Sequence, residues 1–494
     1  MFYESTVVCE NNKKRLEHGD LIPMNSFSKN QCRFNNNFHI NTRLSKIPMQ
    51  NHDAPQRRLS TFSLVCLVFG TVVGAGIFKA PSIVAAQSGS GAEFLLAWLI
   101  GGLISVAGAL CYAELSTTYP SAGGEYHFLS RSFGKNLSFF YVWARATVIV
   151  TGSMAILAIT LGDYMAAIWP LGPYSSFIWA AGVIVILSLV NLIGIHQSTF
   201  TQNTFTILEF LGILAVIVAG FYAGNATPSL DLLTQKTGDT NYGLAMVFVL
   251  LTFGGWNEVA YASAEARDEK RGIWRALSLG LGAVTIMYLL ANVAYLKALG
   301  LNGIANSPAA AYDVFILAFG KGSAMVFGMI VIFSCLNSIN ATIIFGARSN
   351  YAMGNDYLVF SWLGKWHSSG NPRNSIILQA GIACSLIVFA AMTSQGFKAL
   401  VEFTAPVFWF FVLLVGVSLI LQRVRDPNTE RPFKVPFYPV LPLVFIGSTA
   451  WLLWSSLVYT GAGAWISLVV LLSGCIPLLL NRRHTLTPMP ESVT

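Results

Sequence analysis

From residue 59 to residue 481 the chain is a succession of long apolar runs joined by short polar links. Crossing a bilayer takes ~20 apolar residues, because lipid offers the backbone no hydrogen bonds. By that measure the pattern predicts twelve membrane helices, at 61–86, 92–118, 137–167, 175–194, 204–223, 241–264, 274–298, 322–349, 374–393, 398–421, 438–460 and 463–481. Residues 1–58 are polar, Asn-rich and without periodicity, and they lack the continuous apolar core of a signal peptide. They read as a disordered cytoplasmic tail, within which Met24 and Met49 are further candidate starts. Residues 482–494 read as a short C-terminal tail on the same side.

Two of the predicted helices are interrupted. In the first, Gly70-Thr71-Val72-Val73-Gly74-Ala75-Gly76-Ile77-Phe78 sets three glycines within seven residues, and Pro81 follows a turn later. Glycine lowers the cost of leaving helical geometry. A break at that depth frees N–H and C=O groups that must face a ligand, an ion, water or protein. Small residues also let helices approach closely, so this stretch by itself leaves both readings open. The sixth run repeats the pattern with Thr252-Phe253-Gly254-Gly255-Trp256-Asn257-Glu258. Interrupted segments at corresponding places in two halves point to an inverted-repeat transporter with its site at the midplane. Five helices separate them, an odd number, so the halves run in opposite orientations. The expected organisation is a first repeat at 59–223, a second at 241–421, and two accessory helices at 438–481.

Between the second and third runs the link is amphipathic. Phe128, Leu129 and Phe133 recur at helical spacing beside Arg131, which suits a short helix at the inner interface or a solvated loop.

Composition narrows the class. The chain is 54% hydrophobic and 11% charged with mean hydropathy +0.60, where a soluble domain carries about 25% charged residues. The net charge of +8 is a topology signal. With both termini on one face, that face holds 24 Lys and Arg residues against 4 opposite, while Lys79 and Arg145 fall inside helices. This predicts cytoplasmic termini in a plasma or inner membrane. No basic stripe interleaves with exposed aromatics, so nucleic acid is not an expected partner. The cysteines are scattered, with no paired spacing, and indicate neither a metal site nor a disulfide. Among the histidines none has His-Glu-x-x-His spacing, and no Gly-x-Ser-x-Gly elbow occurs, so an enzyme is not expected. Two broken helices also suit an occluded site better than a continuous pore.

Four stretches stand in register over about residues 58–481: Gly70–Phe78, the link from Glu114 to Gly134, Phe253–Asn257 with Ala264-Glu265-Ala266-Arg267-Asp268, and Ser338-Ile339-Asn340-Ala341 with Arg348. Together they resemble the amino acid–polyamine–organocation (APC) transporters, in particular the L-type amino acid transporter-like branch and its bacterial relatives. The resemblance implies an all-α polytopic fold, a LeuT-type 5+5 inverted repeat with broken helices 1 and 6, and alternating access. It also implies a substrate site. The amides of Ala75, Gly76 and Ile77, at the start of a half-helix, would take the substrate carboxylate. The carbonyls of Thr71, Val72, Leu251 and Thr252 would take its ammonium. Phe253 and Trp256, flanking Gly254, would gate the pocket, with a cation–π contribution of ~0.5–2 kcal/mol. The family often has Gly-Ser-Gly where this chain has Gly74-Ala75-Gly76, so one hydroxyl is lost while the amides remain. Glu258 is costly in lipid and must face the interior or water; it could favour a cationic substrate or cap backbone.

Glu209 departs from the family pattern, since sodium-independent relatives often carry Lys at the matching position. Sodium-coupled relatives hold a cation there, and the matching groups are the carbonyls of Gly70 and Val73 and the hydroxyls of Ser334 and Ser338. A carboxylate in that place can take up a proton or, with the surrounding oxygens, hold a monovalent cation; alternatively it pairs with Arg145 or another buried group and only stabilises the bundle. The expectation is a secondary transporter of neutral L-amino acids, coupled to H⁺ through Glu209 with Na⁺ second. An exchanger and a non-transporting sensor on the same fold are the alternatives. No cofactor is expected. The link 168–174 has no cysteine, so no disulfide-linked heavy chain is expected either.

Overall fold

The computed structural model describes residues 57, 59–74, 76–224, 241–268, 271–307, 309–367, 370–392, 396–460 and 462–486. The expected N-terminal tail, with Cys9 and Cys32, therefore lies outside the described residues except at its end. So do Ala75, the link 225–240 and residues 487–494.

Among the described residues the elements are helical apart from one backbone bridge. The first segment comprises α1 (Thr61–Val72) and α2 (Gly76–Ala86); α3 (Gly91–Thr118) and a short α4 (Glu125–Phe133) follow. The next segment is α5 (Lys135–Ala144), a π-helical turn (Arg145–Ile149) and α6 (Val150–Ile168). Then come α7 (Ser175–Ile193), α8 (Ile195–Ala223) and α9 (Tyr242–Thr252), and a 3-10 helix (Trp256–Glu265) continues the α9 segment. The second half holds α10 (Gly272–Asn306), α11 (Ala310–Phe319), α12 (Ala324–Asp356), α13 (Arg373–Ala391) and α14 (Gly396–Arg425). It closes with α15 (Val440–Thr460), α16 (Ala462–Ser473) and α17 (Cys475–Leu486). Among the described residues ten spans are long and apolar enough to cross a membrane, and α1 with α2, bent by 45°, forms an eleventh as one broken span. The last predicted segment is shorter and interrupted near Gly474.

α1 packs against α8, α10, α12 and the 3-10 segment. Its start is capped by Ser60, whose hydroxyl accepts the Ser63 N–H at 3.1 Å. Several helices run past their predicted ends because the extra turns are polar yet buried in protein. Ser198 and Gln202 extend α8 in this way, and Asn350 extends α12. The amphipathic link does form a helix, α4, and its apolar side is turned to protein. Phe128 and Leu129 are fully buried, and the Phe128 carbonyl accepts hydrogen bonds from Ser418 and Gln422 on α14.

The two glycine-rich stretches are both broken. α1 stops at Val73, whose backbone is extended (φ −76°, ψ 123°). α9 stops at Phe253, and Gly255 turns the chain with φ +105°. Gly255 meets two constraints at once. Its φ lies where an L side chain is strained, and a Cβ there would sit 2.3 Å from the Thr71 carbonyl oxygen. The two breaks touch at this point, backbone against backbone.

One end of the bundle is closed around Glu265. Leu59 N–H donates to the Glu265 carbonyl (2.9 Å), and Arg267 N–H donates to the Leu59 carbonyl (3.0 Å). The Glu265 carboxylate is held by the Nε and Nη2 groups on one edge of the Arg348 guanidinium, and neither side chain reaches solvent. This ties the entry to α1, the end of the 3-10 segment and α12 into one joint.

Two outcomes follow for stability. Gly255→Ala should cost about 1–3 kcal/mol in backbone strain, beyond the clash with Thr71, and lower the midpoint of thermal unfolding in detergent. Gly282→Ala, on α10 with open space around it, should be neutral or slightly stabilising. Arg348→Met leaves a buried carboxylate uncompensated, which costs about 3–5 kcal/mol. Adding Glu265→Gln should recover part of that loss in the same assay.

Candidate functional site

Between the two breaks lies a cavity of about 480 Å³. Six of the ten expected substrate-site residues line it, Thr71, Val72 and Gly76 from the first break and Leu251, Thr252 and Gly254 from the second, and Glu258 and Ser338 line it as well. The halves come close, since a Cβ on Gly76 would lie 3.1 Å from the Thr252 methyl. Ile77 and Phe253 are fully buried and are not part of the lining. Phe253 packs on Tyr288 and Trp98, with ring centroids 4.9 and 6.2 Å away. Trp256 stands edge-on to Tyr112 at 5.0 Å and lines a separate small void beside Phe445. Ala75 lies outside the described residues.

The carbonyls at the broken ends are partly engaged. Thr71 and Thr252 turn their hydroxyls back onto their own helices, Thr71 onto Leu67 and Val68 and Thr252 onto Phe248. The Leu251 carbonyl accepts the Gly254 N–H at 3.1 Å. Tyr288, buried on α10, points its hydroxyl between the two breaks, 3.1 Å from the Val72 carbonyl and 3.3 Å from that of Thr252. Each carbonyl oxygen has a second lone pair for another donor. Nothing in the sequence distinguishes Tyr288 from any tyrosine in an apolar helix, because its role exists only once three segments converge.

The expected ion-coupling residues also converge. Ser338 donates to the Val73 carbonyl at 2.7 Å, which pins the end of α1 to α12. One turn earlier Ser334 donates to one oxygen of the fully buried Glu209, and Asn337 donates to the other. Gly70 is small because Gln202 and Asn337 occupy the space beside it, with the Gln202 Nε2 2.2 Å from where a Cβ would be. A ladder of buried amides runs on from there. Gln202 donates to Asn337 (2.5 Å), Asn340 to Gln202 (2.8 Å) and Asn191 to Asn340 (2.8 Å). Asn337 and Asn340, three apart on α12, and Gln202 on α8 can be seen in the sequence, but not as a ladder leading to Glu209. Among the described residues no group of three or more His, Cys, Asp and Glu converges as a metal site would require.

Arg145 is not the partner of Glu209. It forms a two-pronged ion pair with Glu258, one contact at 2.8 Å, and its guanidinium lies 4.0 Å from the centre of the Tyr261 ring. Two irregular elements make this possible. The π-helical turn starting at Arg145 shifts the register of the third segment; such turns concentrate at functional sites. A 3-10 helix eclipses residues three apart, so Glu258 and Tyr261 present themselves to Arg145 together. Behind Arg145, at 3.7 Å, is Glu125 at the start of α4. Tyr112 (2.5 Å), Asn257 (3.0 Å) and Tyr261 (3.0 Å) all donate to the Glu125 carboxylate, as does Tyr141. Glu258 is the outer member of this group and lines the cavity, as does Lys79 on the opposite side of the break.

Comparison with known proteins agrees with this arrangement. The sequence model of the family described as amino acid permease matches residues 59–476. The b(0,+)-type amino acid transporter 1 of Mus musculus is 26% identical over 437 residues, covering 85% of this chain and 87% of that protein. The serine/threonine exchanger SteT of Bacillus subtilis (strain 168) is 28% identical over 427 residues, covering 85% and 95%. The human cystine/glutamate transporter is 27% identical over 455 residues, covering 88% of each. A polytopic all-helical fold with two broken spans around one cavity, matched over most of its length by a single family, places this chain in the amino acid permease family of APC transporters.

Proposed function

We propose that the protein carries neutral L-amino acids by alternating access, and that protonation of Glu209 drives their uptake. The two repeats, 59–223 and 241–421, would move about the site between the breaks, with both termini in the cytoplasm of a plasma or inner membrane. A cavity of about 480 Å³ suits a small ligand, and backbone groups at the broken ends suit an α-carboxylate and an α-ammonium. The amides of residues 75–77 would take the first and the carbonyls of Thr71, Val72, Leu251 and Thr252 the second.

The observation that carries the coupling is the position of Glu209. Its oxygens accept from Ser334 and Asn337, and the next residue, Ser338, holds the Val73 carbonyl at the break. An ionised carboxylate only accepts, whereas a protonated one must also donate. Adding a proton therefore turns one of these accepted bonds into a donated one, for which Ser334 must reverse its hydroxyl or Asn337 its amide, and this alters how α12 holds the end of α1. Sodium is the second candidate, held by the oxygens of Gly70, Val73, Glu209, Ser334 and Ser338. Exchange is the rival mode, favoured by the similarity to a protein named a serine/threonine exchanger. The link 168–174 has no cysteine, so the chain should act without a disulfide-linked partner.

In proteoliposomes, an inward proton gradient should make the wild type accumulate labelled alanine or leucine. Glu209→Gln should lose that drive by about tenfold or more, the loss expected when a protonated coupling group is removed, yet retain exchange of labelled for unlabelled substrate. Transport that ignores pH in wild type and variant alike would make Glu209 structural and favour plain exchange. A sodium requirement would replace the proton in this scheme.

A further inference from the structure

The cavity wall carries a carboxylate, Glu258, that a transporter of neutral amino acids has no evident use for, and a buried arginine directly behind it. Glu258 is exposed enough to line the cavity (13% of its side chain), while Arg145 is 1% exposed. The guanidinium takes both Glu258 oxygens, one contact at 2.8 Å, so the carboxylate is neutralised from the side away from the substrate. We propose that Arg145 is a specificity-determining residue: it masks Glu258 and so keeps cationic side chains out of the pocket. This rests on the amino acid transport reading and refines it.

The charges around Arg145 make the proposal directional. Among the described residues, the charged and titratable groups around it are Glu125 on α4, Tyr141 on α5, and Glu258 and Tyr261 on the 3-10 segment, with Tyr112 on α3 donating to Glu125. Glu125 lies 3.7 Å from the guanidinium and is also supplied with hydroxyl and amide donors of its own. If Glu258 is neutralised, Arg145 still has Glu125 beside it, so no bare cation appears at the cavity. If Arg145 is neutralised, Glu258 has no partner on its inner side and presents an uncompensated anion to the substrate. A lysine or arginine side chain entering the cavity would then replace the missing guanidinium. The selectivity change should therefore run one way, towards cations.

The probes are labelled lysine, alanine and leucine, taken up by the full chain in proteoliposomes. Arg145→Gln should raise lysine uptake relative to alanine by about tenfold, as expected for one desolvated charge pair. Glu258→Gln should show no gain for lysine, and Arg145→Gln combined with Glu258→Gln should abolish the gain of the single variant. A role in folding alone would not make the lysine effect depend on Glu258. The proposal is overturned if Arg145→Gln leaves the lysine-to-alanine ratio unchanged, or if the gain survives in the double variant. If Arg145→Gln yields no folded protein, Arg145→Lys keeps a cation but gives up the two-pronged contact. It should then show a smaller gain for lysine, and an unchanged ratio overturns the proposal equally. Failure of the wild type to take up alanine or leucine would contradict the neutral-substrate reading instead; lysine uptake by each variant relative to the wild type is then the readout, and an unchanged value still overturns the proposal.

Discussion

Two interruptions of the backbone inside an apolar bundle are the constraint on which the rest of the structure depends. Lipid cannot satisfy the groups that a broken helix releases, and each one left unpaired costs several kcal/mol. The protein answers with side chains brought from elsewhere. Tyr288 reaches both breaks from α10, Ser338 holds the Val73 carbonyl from α12, and Thr71 and Thr252 fold back onto their own helices. The groups left for a substrate are then few and fixed in place. Under the proposed function, such a site would take the backbone portion common to all amino acids through main-chain groups.

The remaining buried charges follow one rule: each is placed against a partner at a joint between segments. Glu265 with Arg348 closes one end of the bundle, and Glu258 with Arg145 stands at the cavity wall. Glu114 takes Arg423 and the Val435 N–H, joining α3 to the chain after α14. Buried pairs add little net stability but penalise any arrangement that separates them. They therefore specify which faces meet. Glu209 differs in kind, because its two named partners are neutral donors, and a change in its own charge alters what they can do.

Much of this was legible in the sequence because it is written in local composition. Glycine clusters marked both breaks, apolar runs gave the spans, and Glu209, Ser334 and Ser338 were placed together by the family pattern. Partnerships across long separations were not legible. Arg145 with Glu258 and Tyr288 with the broken ends depend on how segments more than a hundred residues apart, or three helices at once, come to face each other. Arg145 was one of two cations read as lying within the apolar helices, and Glu209 and Glu258 were both open to it by sequence. The π-helical turn and the ten-residue 3-10 helix decided between them, and neither has a composition that hydropathy could detect. Phe253 and Trp256 likewise sit at the break as expected, yet here their rings pack into the protein beside the cavity.

The central claim is that the two breaks together form the amino acid site. A cryo-EM map of the full chain in lipid nanodiscs with saturating substrate amino acid tests it most directly. Density between residues 74–77 and 251–255, with the carboxylate end towards the start of α2 and the ammonium end towards the carbonyls of Thr71 and Thr252, is the result that follows from the fold. Ligand density elsewhere in the bundle, with the space between the breaks filled only by solvent, would contradict it.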